Sequence, residues 1–73
     1  MIRVKATVLD QARELHGFTS DEKLAAALGM SGTAVRNLRH GKSAPRITTL
    51  LSLQKLTGIP IEGLIYEVQE NAA

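Results

Sequence analysis

The sequence predicts an all-α fold, a compact bundle of about five short helices. Two observations carry that expectation. Apolar residues recur near helical spacing in several separate segments. Gly17, Gly29, Gly41, Gly58, Pro45 and Pro60 fall between those segments and cut the chain into pieces of one helix each. No segment alternates long enough to predict a sheet. With 73 residues, 44% of them apolar and 22% charged, the chain reads as one globular domain over residues 1–73.

The short start, Ile2-Arg3-Val4-Lys5, alternates and fits either a brief strand or an arm. A first helix is expected from Thr7 to His16, with Val8, Leu9, Ala12 and Leu15 near helical spacing and Gly17 as its C-terminal cap. A second is expected from Ser20 to Leu28. Thr19 and Glu22 have capping-box spacing, Ser20 is an alternative cap, and Leu24, Ala25 and Leu28 form the apolar stripe. Ser31 caps a third helix that ends before Gly41, with Met30 and Val35 placed as a hydrophobic staple. Val35 and Leu38 give it an apolar edge, and Gly32, Thr33, Arg36, Asn37, Arg39 and His40 leave its other faces polar or minimal. A fourth helix is expected over Ile47–Thr57 and a fifth over Ile61–Glu70, with Pro60 at its start.

Composition excludes several functions. The absence of cysteine removes disulfides, thiolate metal sites and thiol nucleophiles, and fits a reducing cytosol. No apolar run approaches the roughly 18 residues of a membrane span, and the start lacks the apolar region of a signal peptide. One Phe, one Tyr and no Trp argue against stacking platforms for single strands. His16 and His40 share no ligand spacing with acids, so no metal is expected. Asp10, His16 and Ser20 can be drawn as a triad, but no oxyanion loop accompanies them, and no enzyme is expected.

The net charge is only +2, but its distribution is uneven. No acid lies between Glu22 and Glu62, whereas that interval holds Lys23, Arg36, Arg39, Lys42, Arg46 and Lys55. A cationic middle on a nearly neutral chain is the footprint of a polyanion binder, or else a solvated face with its counter-charges nearby in space.

The second and third helices are separated only by Gly29-Met30-Ser31, the spacing of a helix-turn-helix over residues 20–40. Ala25 is small enough for close helix approach, Gly29 suits the turn, and Val35 with Leu24 and Leu38 fills the angle. Leu24-Ala25, Leu28-Gly29-Met30-Ser31, Val35, Leu38, Gly41-Lys42, Pro45, Leu50, Leu53, Gly58-Ile59-Pro60 and Leu64 together resemble the Cro/repressor-type, or XRE-like, helix-turn-helix family over residues 8–66.

The resemblance implies a lambda repressor-like DNA-binding domain and a sequence-specific regulator of transcription, a repressor, in a bacterial or phage-infected cytoplasm, near the nucleoid. A small Cro-like or immunity-repressor regulator of a phage fits, with no cofactor, ligand sensor or small-molecule ligand. The alternatives are an antitoxin-type regulator and a scaffold used only for protein contact. The family's third helix enters the major groove, so the base contacts implied are Gly32, Thr33, Arg36 and Asn37. Arg36 suits a guanine best, because a guanidinium donates twice to O6 and N7. Ser31, Arg39, His40, Lys42 and Arg46 are implied phosphate contacts.

Four features depart from the family pattern: Asp21, Arg39, a link from Gly17 to Leu24 one residue longer than usual, and Gln54 with Thr57 where the family usually has Ala and Leu. Asp21 stands where the family often has a phosphate-binding Gln. Arg39 stands where it often has a Glu paired with an Arg of the first helix, which Arg13 matches. Arg39 is therefore expected to be free for phosphate or held by an acid such as Glu14. Finally, the fourth and fifth helices carry apolar residues on more than one side. Two readings fit: a homodimer surface over Leu56, Leu64, Ile65 and Val68, formed in solution or only on DNA, or an intramolecular core with ordinary exposed leucines.

Overall fold

The computed structural model describes residues 1–68. In chain order they form β1 (Ile2–Val4), α1 (Ala6–His16), α2 (Asp21–Leu28), α3 (Gly32–Arg39), α4 (Ile47–Thr57), α5 (Ile61–Leu64) and β2 (Ile65–Glu67). The bundle of five helices is the expected one, and three of the caps follow from the residues named above. The chain leaves α1 through Gly17, and the Phe18 N–H donates to the Arg13 carbonyl at 2.9 Å. Ser20, rather than Thr19, caps α2, its Oγ accepting from the Lys23 N–H at 3.3 Å. The Ser31 Oγ accepts from the Ala34 N–H at 3.1 Å and starts α3. The two serine side chains each satisfy a backbone donor that the first helical turn leaves orphaned.

Val8, Leu9, Ala12, Leu24, Ala25, Val35, Leu38, Leu50, Leu53 and Leu64 form the core, joined by Val4 from β1. These contacts lock α2 and α3 together at the tight turn and pack α4 against α1. Gly29 turns the chain with φ +71°, a conformation that costs an L-residue roughly 1–2 kcal/mol. A Cβ there would meet no atom within 4 Å, so the cost is purely backbone. Gly29→Ala should therefore lower the denaturant midpoint by the equivalent of about 1–2 kcal/mol with an unchanged slope, read by urea unfolding.

Two expectations about the elements are corrected. The fifth helix stops at Leu64, because Ile65 is extended and the chain continues as a strand. Residues 69 and 70 of the expected helix lie outside the described residues. β1 and β2 pair antiparallel, with Ile2 opposite Glu67, Arg3 opposite Tyr66 and Val4 opposite Ile65. Hydrogen bonds from the Val68 N–H to the Met1 carbonyl and from the Lys5 N–H to the Leu64 carbonyl, both 2.9 Å, extend the ladder at each end. Three-residue strands are too short to reveal a period, and this pairing joins partners more than 60 positions apart.

Leu64, expected on a dimer surface, is instead fully buried: the single turn of α5 points it into the core. Leu56, Ile65 and Val68 are half-buried. Leu15, expected on the inner stripe of α1, is 60% exposed. On α4, Leu50 and Leu53 are buried while Ile47 and Leu51 face outward, so its apolar residues do exceed what one core covers. Among the described residues, no helix is long and apolar enough to cross a membrane.

Candidate nucleic-acid interface

The polar side of α3 follows from its sequence. Val35 and Leu38 are buried, which fixes the rotation of the helix. Thr33, Arg36, Asn37 and the capping His40 then recur at i, i+3, i+4 and i+7 and share the opposite face. Thr33, Arg36 and His40 are exposed, and Asn37 is half-buried. Asn37 lines a surface groove that also takes in Ala34, Ser43, Ala44, Arg46 and Thr48. Lys42 and Arg46 are exposed on the loop that follows α3, and the Lys42 N–H donates to the Asn37 carbonyl at 2.8 Å, tying loop to helix. Of the residues named from the sequence, Thr33, Arg36, Asn37, His40, Lys42 and Arg46 thus lie along α3 and the loop leaving it. Ser31 is exposed at the start of α3 beside Gly32.

Arg39 is the exception. All three guanidinium nitrogens donate inside the molecule: Nε to Asp21 Oδ2 at 3.1 Å, Nη2 to Asp21 Oδ1 at 2.7 Å, and Nη1 to Asp10 Oδ1 at 2.6 Å. Its side chain is only 18% exposed. The expectation of a phosphate contact at Arg39 is corrected accordingly, and the acids that hold it are Asp21 and Asp10 rather than Glu14. Arg13 completes the cluster from α1, with Nη1 on Asp21 Oδ1 at 3.3 Å and Nη2 on the Thr19 carbonyl at 2.9 Å. Asp21 therefore sits between two guanidinium groups, and its paired fork from Arg39 is the strong geometry for such a contact. The hydrogen bond from Arg39 holds the Asp21 carboxyl below its ordinary value of 3.8, against the opposing effect of burial and with further help from Arg13. The same bond raises Arg39 above its ordinary value. Arg39 on α3 thus pairs with Asp21 on α2 and with Asp10 on α1, and Arg13 on α1 pairs with Asp21, so the cluster ties all three helices together. Two bases and two acids leave the cluster with no net charge, so Asp21 does not present an uncompensated negative charge.

Two further residues enter that spacing along the chain did not select. Glu22, on the first turn of α2, accepts from Arg36 Nη1 through Oε1 at 2.5 Å. That hydrogen bond lowers the Glu22 carboxyl below its ordinary value of 4.5. Arg36 Nη2 lies 3.5 Å from Thr33 Oγ1. The signal for this contact is the tight turn itself, which sets the first turns of α2 and α3 side by side. Arg3, from β1, lies against the end of α3: a Cβ at Gly41 would fall 2.8 Å from its Nη1.

Among the described residues, no three His, Asp or Glu side chains converge as metal ligands. The comparisons with known proteins agree with the geometry. The family model described as Helix-turn-helix matches residues 9–64, most of the chain, from within α1 to the end of α5. No curated protein and no solved structure gives a match.

Proposed function

The chain belongs to the Cro/repressor-type helix-turn-helix family, a family of DNA-binding regulators, and on that premise we propose that it reads a specific duplex sequence and represses transcription from it. The observation that carries this reading is the face of α3 opposite Val35 and Leu38, where Thr33, Arg36 and Asn37 stand together beside Lys42 and Arg46 and where the α3 segment and the loop after it contain no acid. In this reading α3 lies in the major groove. Arg36 donates to guanine O6 and N7, Asn37 pairs with an adenine edge, and Thr33 touches a thymine methyl or a base acceptor. Gly32 allows close backbone approach. Ser31, His40, Lys42 and Arg46 meet phosphates and set the register without reading sequence. Repression follows from occupancy, since a protein seated on an operator excludes polymerase. Two copies placing their α3 helices about 34 Å apart would read a pseudo-palindrome, and sedimentation with and without duplex measures that assembly.

Selection of bound duplexes from a random pool tests the reading directly and should return a defined sequence. Titration against salt separates it from a protein-contact scaffold. The affinity for duplex should fall on a log–log plot with a slope of about −0.9 for each phosphate neutralised. A flat salt response together with no enriched sequence rejects DNA recognition.

A further inference from the structure

Gly32 and Arg36 share a neighbour that is on neither α3 nor the loop after it. A Cβ at Gly32 would lie 2.9 Å from Glu22 Cγ and 3.2 Å from its Oε1, so the Glu22 side chain occupies the space that a residue at position 32 would fill. The same carboxylate holds Arg36 Nη1. Both side chains stay about half exposed, at 60% for Glu22 and 48% for Arg36, so the pair lies at the surface that would meet a ligand. An exposed pair of this kind contributes little to stability, which leaves its placement to be explained otherwise.

We propose that Glu22 is a positioning residue for base recognition: lodged over Gly32, it holds Arg36 by Nη1 and leaves the Nε–Nη2 edge to meet a guanine. The proposal rests on the reading of α3 as the recognition helix. The chemistry has two parts. Held by Nη1 on Glu22 and by the longer contact of Nη2 with Thr33 Oγ1, the guanidinium keeps a fixed plane, and Nε with the second Nη2 hydrogen remains for O6 and N7. The carboxylate also cancels the Arg36 charge locally. A phosphate in an arbitrary register then gains little from Arg36, whereas a guanine in register gains two directed hydrogen bonds. Discrimination is the difference between those affinities, so an acid that weakens unspecific contact raises specificity.

The experiment compares wild type, Glu22→Gln, Glu22→Ala and Gly32→Ala on the selected duplex, on the same duplex with the guanine read by Arg36 replaced, and on unrelated duplex. In Glu22→Ala the guanine preference should fall by about fivefold to tenfold, within the range of one bidentate contact. Binding to unrelated duplex should tighten, and its salt slope should steepen by up to about 0.9, because Arg36 becomes free for a phosphate. Glu22→Gln, which keeps the acceptor and loses the charge, should retain more of the preference than Glu22→Ala. Gly32→Ala should reproduce the loss with Glu22 still present, because its new Cβ displaces the carboxylate. Tighter binding of Glu22→Ala to every duplex with the guanine preference intact would overturn the proposal and leave Glu22 a repulsive charge only. Failure of the underlying reading looks different: wild type itself would then prefer no base pair.

Discussion

Replacing Asp21 with alanine should lower the thermal unfolding midpoint by roughly 10–20 °C, the equivalent of about 2–3 kcal/mol in a domain of this size. Asp21 accepts both prongs of the Arg39 fork and one bond from Arg13, so its loss leaves Arg39 only Asp10 and Arg13 only backbone carbonyls, with side chains that are 18% and 30% exposed. Leaving a partly buried charge without its partner costs more than the pair itself contributes. The same residue sets a pH dependence. The folded carboxyl titrates below its ordinary value of 3.8, so its stabilisation is complete above that value and disappears as the pH falls through the lower folded one. Wild type and Asp21→Asn should therefore differ most near neutrality and converge in acid, as followed by circular dichroism during urea unfolding. A gap that stays constant down to pH 3 would remove the ion pair from the account. Because this cluster joins α1, α2 and α3, Asp21→Ala should also weaken duplex binding in proportion to the unfolded fraction, with the preferred sequence unchanged.

Arg36→Ala should cost about 1–3 kcal/mol on the selected duplex and erase the preference at one base pair. Its side chain is 48% exposed and outside the core, so the fold should be retained, as far-ultraviolet circular dichroism will check. The informative control is Lys42→Ala. A phosphate contact carries no sequence information, so its loss should weaken all duplexes alike and flatten the salt slope by about 0.9. Arg36→Ala should do the reverse, changing the selected sequence and leaving the slope nearly as it was. If the sequence selected by Arg36→Ala matches that of wild type, the base reader lies elsewhere on α3.

Most helix boundaries were legible because their signals are local. Ser20 and Ser31 supply cap oxygens, Gly17, Gly29 and Gly58 end helices, and Val35 with Leu38 fixes which side of α3 faces the core. The exposed face of α3 follows from that rotation by helical arithmetic. The ladder between Ile2–Val4 and Ile65–Glu67 was not legible, since each strand is three residues long and its partner is at the far end of the chain. Leu15 and Leu64 exchanged their expected places for a related reason: apolarity says that a residue can be buried, and packing says which ones are.

The residues alone determined a helix-turn-helix with a cationic middle, because capping, turn geometry and helical periodicity act over a few positions. Tertiary structure decided what each charge does. Arg36 and Arg39 are both cations of one acid-free stretch of the chain. Their fates depend on carboxylates carried in by other helices, Glu22 beside Arg36 and Asp21 with Asp10 around Arg39. Coulombic and hydrogen-bonding interactions depend on separation in space, and the turn at Gly29 brings residues 14 to 18 positions apart within bonding distance.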